Sequence, residues 1–348
     1  MIQKLLSIVK NQGASDLHVS VGRHPYIRVD GDLVALRSED VVDQDMLLRM
    51  LVELIGEDRA RRVLNKEEID FAYAYDAEDI RFRGSAYIRA GYPSFTLRAI
   101  ERIRSLEELN LPEQLLDFAN KEQGFFLLVG PVGQGKSTTM AALLEYINQT
   151  RQEHIVTIEN PIEYIFEEKK SIIDQREVGI DTESFESGLK AMFRQDVNVM
   201  MVGEMRDAHT INTAVTAAET GHLVFSTLHT NNASQTIDRI IDSFPPAGQG
   251  QIRTQLSNSL LGILSQRLIP SLQGGRMPAF ELLINNNAVA NLIREGRTHE
   301  IDSVIETSRG EGMIDMNHSL LQLVRDGHVT LDDAMRYSLN PEGLKRLM

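Results

Sequence analysis

The sequence predicts an α+β domain, followed by an α/β domain with a parallel sheet and by a helical C-terminal segment. Three observations carry this prediction. Short strand-like segments mingle with helices in residues 1–100, strands alternate with helices in 116–286, and residues 287–348 are polar with a helical pattern. Residues 101–115 are charged and polar, so we expect a linker there. A chain of 348 residues is long enough for two domains with separate cores.

Apolar periodicity predicts the elements of the first hundred residues. Helices are expected at 2–10 and 43–64, the second with Asp43 at or next to its N-cap. The expected strands are 16–21, 26–29, 33–36, 70–75, 80–90 and 94–100. The turn sequence Asp30-Gly31-Asp32 is typical of a hairpin between the second and third strands. This order predicts a small antiparallel sheet with a few helices.

The second part alternates strands with helices, which is typical of a parallel sheet with helices on its faces. The expected strands are 125–129, 154–158, 197–202 and 223–227. The expected helices are 137–148, 185–193, 209–220 and 234–242. The last segment, 287–348, is expected to be a helical appendage to this domain.

Composition excludes several classes of protein. The chain has no cysteine, which rules out disulfides, cysteine nucleophiles and zinc sites with cysteine ligands. The net charge of −14 argues against a nucleic-acid-binding protein. No apolar run approaches the roughly 18 residues of a membrane helix, and the N-terminus becomes polar too soon for a signal peptide. We therefore expect a cytoplasmic protein without direct nucleic-acid contacts.

One motif dominates the second part. The segment GPVGQGKS, residues 130–137, fits G-x-x-x-x-G-K-[ST], with an apolar strand before it and a helix after it, as this motif requires. Glycines let backbone amides surround phosphate oxygens, and the start of a helix adds the positive end of its dipole. Lys136 suits the β and γ phosphates, and Ser137 suits Mg²⁺. The predicted ATP-binding residues are Gly130, Pro131, Val132, Gly133, Gln134, Gly135, Lys136, Ser137 and Thr138.

Carboxylates follow two other predicted strands. Glu204 comes after the strand 197–202, and the carboxyl ends of parallel strands gather at one edge of the sheet, so we expect Glu204 to hold Mg²⁺ together with Ser137. An ordinary loop glutamate is the alternative. Glu159 and Glu163 follow the strand 154–158, and one of them is expected to polarise the attacking water.

Two histidines flank one predicted strand. His229 follows the strand 223–227 and is expected to bond a γ-phosphate oxygen, whereas His222 precedes the same strand. A lone histidine is more often structural than functional, and this alternative stays open for both residues. No H-E-x-x-H spacing supports a zinc site.

Taken in order, these blocks resemble the secretion ATPase superfamily, and within it the type IV pilus retraction ATPases of the PilT type. The resemblance covers almost the whole chain. Besides the P-loop, it rests on GASDLH (13–18), IRVDGDL (27–33), RFR (81–83), TIENPIEYIF (157–166), QREVGIDTESF (175–185), VMMVGEMRD (199–207), TGHLVFSTLHTNNA (220–233) and LIREGRTHEIDSVIETS (292–308).

The resemblance implies a PAS-like N-terminal domain and a RecA-like P-loop ATPase domain, assembled as a homo-hexamer. It implies that Glu163 is the catalytic glutamate, that Glu204 is the acid of the Walker B strand, and that ATP and Mg²⁺ are bound. Glu159 is expected at the nucleotide from its position after the strand 154–158. Further residues that the resemblance implies there are His222, His229, Arg81, Arg83 and Arg98, of which Arg83 and Arg98 are expected to stabilise charge on the γ-phosphate. Exposed arginines in surface ion pairs are the alternative for these three.

Two features separate retraction from assembly in this resemblance. Assembly-type relatives carry a four-cysteine zinc insert, which a chain without cysteine lacks, and LIREG (292–296) resembles the C-terminal signature of the retraction type. Two positions depart from the family pattern. Asn160 stands where the acidic block usually has Asp, and Val197-Asn198 replaces a usual Pro-Asp.

The expected function is therefore pilus retraction by an ATP-hydrolysing ring. The expected partners are an inner-membrane platform protein of the pilus machine and a paralogous pilus ATPase, with the ring lying peripherally at the inner membrane. Three alternatives stay open: an assembly or type II secretion ATPase, a nucleic-acid translocase, and an accessory ring subunit that does not hydrolyse ATP.

Overall fold

The computed structural model describes residues 1–29, 32–75, 80–100, 102–205 and 207–348. The chain divides into two compact units. The first comprises Met1–Arg102 and Pro161–Ile165, and the second comprises Ile103–Asn160 and Phe166–Met348. The predicted boundaries at 100, 115 and 286 stay a prediction, and they do not anticipate that residues 161–165 belong to the first unit. A five-residue excursion has no compositional signature of its own, so sequence reasoning had no basis for assigning it.

In the described residues, the first unit contains a six-stranded antiparallel sheet with the order β3-β2-β1-β6-β5-β4. Its elements are α1 (Ile2–Asn11), β1 (Asp16–Ser20), β2 (Tyr26–Val29), β3 (Asp32–Ala35), α2 (Gln44–Leu64), β4 (Ile69–Tyr75), β5 (Ile80–Arg89) and β6 (Tyr92–Ile100). The predicted hairpin is confirmed by the antiparallel pairing of β2 with β3, while Asp30 and Gly31 of its turn lie outside the described residues. One apolar core joins the sheet to both helices.

Helix α2 begins where the sequence predicts. The Asp43 side chain accepts a 2.7 Å hydrogen bond from the backbone N–H of Met46, which satisfies a donor that the first helical turn leaves unpaired. The helix is not continuous, because Gly56 has φ +77° in its interior. Glycine tolerates this left-handed region, so the predicted helix is confirmed with a kink that periodicity alone did not reveal.

The second unit contains a seven-stranded sheet in its described residues, with the order β13-β12-β7-β11-β10-β8-β9. Its strands are β7 (Gly124–Val129), β8 (His154–Glu159), β9 (Ile172–Glu177), β10 (Val199–Val202), β11 (Leu223–Leu228), β12 (Leu260–Pro270) and β13 (Arg276–Ile284). Neighbouring strands run parallel, except that the edge strand β13 pairs antiparallel with β12. The predicted parallel sheet is confirmed, but β9, β12 and β13 were not predicted.

Helices cover both faces of this sheet. They are α3 (Gln114–Ala119), α4 (Lys136–Thr150), α5 (Phe185–Met192), α6 (Ala208–Glu219), α7 (Ala233–Asp242), α8 (Pro246–Ser259), α9 (Asn287–Glu295), α10 (Ile301–Thr307), α11 (Met316–Arg325), α12 (Leu331–Tyr337) and α13 (Pro341–Leu347). Side chains of β7 alternate between the faces: Phe126 and Leu128 pack with α3 and α4, whereas Phe125 and Leu127 pack with α5 to α10. Burial on both faces explains why β7 is apolar throughout.

The predicted C-terminal appendage packs on the edge hairpin of the second unit. Ile269 of β12 and Ala279 of β13 share an apolar core with Met316, Leu320 and Leu344 of the terminal helices. Glu101 of the predicted linker and Arg206 of the predicted Walker B block lie outside the described residues. None of the helices in the described part of the chain combines the length and the apolar character that crossing a membrane requires.

Candidate functional site

The P-loop joins β7 to α4 and depends on glycine at both of its ends. Gly130 has φ +146°, and a Cβ atom there would lie 2.4 Å from the backbone oxygen of Gln266 on the adjacent strand β12. Gly135 is the N-cap of α4, with φ +79° in the left-handed region. Only a residue without a side chain fits the first position, so the loop is pressed directly against β12.

The Gly130→Ala substitution is expected to destabilise the second unit by about 2 kcal/mol or more, because the added methyl group meets backbone rather than a movable side chain. Chemical denaturation measures this effect. Gly133→Ala is the matched control, since Gly133 also has a positive φ, +75°, but has no atom within 4 Å of the Cβ position. Equal destabilisation by both substitutions would contradict the proposed clash.

Lys136 belongs to the P-loop, and its side chain is buried. Its Nζ donates to the backbone oxygens of Gly130 and Pro131, at 2.7 and 2.8 Å, and lies 3.2 Å from Nδ1 of His229. A lysine ammonium has only donors, so Nδ1 of His229 acts as the acceptor and the neutral ring carries its proton on Nε2. The lysine and the predicted histidine are therefore in direct contact.

Glu204 and His229 come together at the ends of two neighbouring strands. Nε2 of His229, the ring nitrogen that carries the proton, lies 3.5 Å from Oε1 of Glu204. The two strand ends are joined below them, because Ser226 donates to the oxygen of Val202 at 2.7 Å and Thr227 donates to the oxygen of Gly203 at 2.5 Å. Lys136, His229 and Glu204 thus form a continuous polar chain beside the P-loop.

The side-chain oxygen atoms near the P-loop are suitable ligands for Mg²⁺. Ser137, which is exposed in the first turn of α4, supplies a hydroxyl, and Glu204 supplies a carboxylate. Mg²⁺ prefers oxygen ligands and commonly uses one or two protein groups together with phosphates and water. In the described residues no group of three or more His, Asp or Glu side chains is arranged to hold a metal ion. The residues present therefore fit Mg²⁺ that is bound together with phosphate, rather than a site made of protein ligands alone.

Glu159 lies at the same edge of the sheet but farther along it. Its carboxylate accepts hydrogen bonds from Thr157 at 2.7 Å and from Gln175 of β9 at 3.3 Å, and its side chain is buried. Strand β8 is three positions from β7 in the sheet, which corresponds to about 14 Å. The contacts of Glu159 within the sheet fix its position at the end of β8. Its predicted contact with nucleotide stays a prediction.

His222 lies at the amino ends of the parallel strands, whereas the P-loop follows the carboxyl end of β7. Its backbone oxygen accepts from the N–H of Gly124 at the start of β7, and its Nδ1 donates to the oxygen of Ala217 at 3.0 Å. Its ring also packs edge-on against Phe193, with ring centroids 5.5 Å apart. Six residues of extended strand separate it from His229, a distance of about 20 Å. The structure therefore does not bring His222 to the P-loop of its own chain.

The arginines predicted at the nucleotide lie in the first unit. Arg83 and Arg98 stand opposite each other on β5 and β6, and each has an acidic partner. Arg83 donates to Glu163 at 2.9 Å, within the same compact unit, and Arg98 donates to Asp16 at 2.8 Å. Arg83 and Glu163 are both partly exposed, so this ion pair contributes little to stability and is easily exchanged. Arg98 is exposed but its partner Asp16 is buried and also lies 3.9 Å from Arg28. Arg81 lies two residues before Arg83 on the same strand.

Three polar residues that contact the site were not predicted. Gln266 and Arg276 donate to backbone oxygens of the P-loop, at Gln134 and Gly133. Glu281 accepts from the backbone N–H of Ala233, the first residue of α7, just after His229 and its loop. These residues follow the P-loop by more than a hundred positions, so no local motif connects them to it. A sequence signal exists only for Gln266, which interrupts the apolar residues of the buried strand LLGILSQRLIP.

Glu281 is a buried carboxyl group that is hydrogen-bonded to the end of the loop that follows His229. It receives hydrogen bonds from Ala233 N at 2.9 Å and from the hydroxyl of Ser265, its cross-strand partner, at 3.3 Å. Burial raises the pKa of Glu281 to about 7, because these hydrogen bonds only partly offset the loss of hydration and because Asp302 and Asp315 repel the charged form. The group is thus balanced between its neutral and ionised forms near neutral pH.

Known proteins resemble this chain along nearly its full length. A family model described as type II/IV secretion system protein matches residues 1–336. The type IV pilus retraction ATPase PilT of Pseudomonas aeruginosa is 39% identical over 343 residues, which cover 98% of this chain and 99% of that protein. A twitching motility protein of Neisseria gonorrhoeae is 42% identical over 323 residues, or 92% of this chain and 86% of its own length.

A solved structure agrees with these sequence matches. The crystal structure of the pilus retraction motor PilT with bound ADP superposes with a TM-score of 0.92 at 42% identity and covers 99% of both chains. The predicted fold class is confirmed: an N-terminal domain with an antiparallel sheet precedes an α/β domain of the RecA-like P-loop type.

Proposed function

Because the chain belongs to the type II/IV secretion system protein family, we propose that it is an ATPase that powers the retraction of type IV pili. One observation carries the proposal: Lys136 of a complete P-loop contacts His229, which faces Glu204, in a chain that is similar over its length to retraction ATPases. The proposed substrate is ATP, and the proposed products are ADP and phosphate.

The residues of the P-loop support binding of the phosphates. Backbone amides at the start of α4 and the ammonium group of Lys136 concentrate positive charge at one point. Lys136 already bonds two loop carbonyls, so binding of ATP exchanges these neutral partners for phosphate oxygens without a large movement of the side chain. We expect His229 to follow this exchange, because its Nδ1 loses the contact with Nζ. Nδ1 must then carry a proton in order to donate to a γ-phosphate oxygen.

The other proposed roles extend those expected from the sequence. Ser137 and Glu204 would hold Mg²⁺, which when bound neutralises charge on the phosphates. Glu163 is proposed to orient the attacking water, and Arg83 and Arg98 to stabilise charge at the γ-phosphate in a hexameric ring. Arg83 and Glu163 are bonded to each other here, so both roles require that this ion pair first separates.

The proposed partners are further copies of this chain, an inner-membrane platform protein of the pilus machine, and a paralogous pilus ATPase. The proposed location is the cytoplasmic side of the inner membrane. A second candidate function is an accessory ring subunit that binds ATP without hydrolysing it. Asn160 favours this candidate, because it removes one carboxylate from the acidic block.

Deletion of the gene, followed by imaging of surface pili, tests the proposed direction of the motor. If the chain retracts pili, the deleted cells should carry more pili than the parent and should show no retraction events. Cells that lack pili altogether would instead identify an assembly ATPase. Complementation with the unaltered gene is the control, and it should return both pilus number and retraction to those of the parent.

A further inference from the structure

We infer that Gln266 is a positioning residue that aims the backbone amides of the P-loop at the phosphates. Gln266 lies in the middle of β12 and is 3% exposed, although it is polar. A buried amide is retained at little cost only when both of its ends are hydrogen-bonded. Both ends of the Gln266 amide are bonded, one to the P-loop and the other to the first turn of α4. The inference rests on the proposed function for its relevance to ATP.

The first bond fixes the orientation of one peptide group. The Nε2 of Gln266 donates to the backbone oxygen of Gln134 at 2.8 Å. In a planar trans peptide the C=O of one residue and the N–H of the next point in opposite directions. Holding the oxygen of Gln134 toward β12 therefore directs the N–H of Gly135 away from β12 and into the loop. Arg276 acts in the same way one residue earlier, because its Nη1 donates to the oxygen of Gly133 at 3.2 Å.

The second bond ties the same side chain to α4. The Oε1 of Gln266 accepts from the hydroxyl of Thr139 at 2.8 Å, and Thr139 is buried in the first turn of the helix. Gln134 returns a bond to the strand, since its Oε1 accepts from the N–H of Leu268 at 2.6 Å. Loop, helix and strand are thus joined through one glutamine, which fixes the loop relative to the dipole of α4.

The amides that this arrangement directs are available to a ligand. Among the described residues, the N–H groups of Gly133 and Gly135 donate to no protein acceptor. A phosphate group requires several such donors in a fixed arrangement, and pre-organising them lowers the cost of binding. We therefore expect that loss of the Gln266 amide weakens phosphate binding rather than the chemical step.

The test compares nucleotide affinity in the full chain. Gln266→Leu removes both bonds, and the dissociation constant for ADP is expected to rise about tenfold, as the loss of two neutral hydrogen bonds predicts. The inhibition constant of inorganic pyrophosphate against a fluorescent ADP analogue should rise by the same factor. In ATP turnover KM should rise similarly while kcat changes less than about threefold, because the amides hold the phosphates in both ground and transition states.

Two variants separate positioning from a general structural effect. Gln273→Leu is the matched control on the same hairpin, where Gln273 is exposed and contacts His328 rather than the P-loop. Thr139→Ser should retain the affinity of the parent because it keeps the hydroxyl, whereas Thr139→Val should weaken ADP binding severalfold. Unchanged ADP affinity in Gln266→Leu would overturn the inference.

A variant that fails to fold does not prevent a decision. Gln134→Ala keeps the backbone of the loop and removes only its bond to Leu268, so it supplies the result if Gln266→Leu is unfolded. Parental ADP affinity in both Gln134→Ala and Thr139→Val would then overturn the inference. Failure of the proposed function is a different result, since it shows as absence of turnover in the unaltered chain, while ADP and pyrophosphate affinities still test Gln266.

Discussion

Replacing Lys136 with alanine is expected to reduce ATP turnover by the purified chain by at least about a hundredfold, which corresponds to roughly 3 kcal/mol of transition-state stabilisation. The ammonium group is held beside two P-loop carbonyls and His229, so its charge lies where the phosphates are expected to bind. No other residue of the P-loop carries a positive charge. Release of phosphate at saturating ATP and Mg²⁺ measures the effect.

Lys190→Ala is the matched control for this substitution. Lys190 is an exposed lysine on α5 that pairs with Glu186, four residues earlier in the same helix, and it should affect turnover by less than about twofold. If the unaltered chain shows no turnover above that of Lys136→Ala, the chain is not an ATPase on its own and the accessory-subunit candidate takes precedence. A Lys136→Ala variant that keeps more than a third of parental turnover would contradict the role given to the lysine.

The second large effect is on stability, and it depends on pH. The pKa of Glu281 is raised from 4.5 to about 7, so the native state binds this proton more tightly than the unfolded chain does. The contribution of Glu281 to the free energy of unfolding is therefore fully present below about pH 4.5. It is lost progressively as pH rises toward 7, and above that the loss no longer increases. A shift of this size corresponds to about 3 kcal/mol.

Glu281→Gln should remove this dependence, because glutamine keeps an oxygen for Ala233 N–H and the hydroxyl of Ser265 but cannot ionise. The stability of the variant minus that of the parent is expected to increase between pH 5 and pH 8, by up to about 3 kcal/mol. Urea denaturation at four pH values in this range measures the difference. Glu122→Gln, at an exposed glutamate, should show no such trend. A constant difference between Glu281→Gln and the parent would show that the carboxyl is not titrating in this range.

Much of this protein follows from local sequence. The P-loop could be identified because the motif, the apolar strand before it and the helix after it are contiguous, and local backbone rules are sufficient for such a unit. The N-cap at Asp43 and the hairpin between β2 and β3 were predictable for the same reason. The positions of Glu204 and His229 at one edge also followed, since each comes directly after a strand and parallel strands end at the same side.

Other features depend on contacts between distant segments, and only the tertiary structure decided them. Strand β12 contacts the P-loop across more than a hundred residues, so neither the role of Gln266 nor the pairing of β12 with β7 has a local signature. The ion pair between Arg83 and Glu163 likewise requires residues 161–165 to return to the first unit. Periodicity and motifs specify which backbone conformation each segment prefers, because those preferences act over a few residues. The order of strands, and with it the partners of each buried polar group, is set by packing over the whole domain.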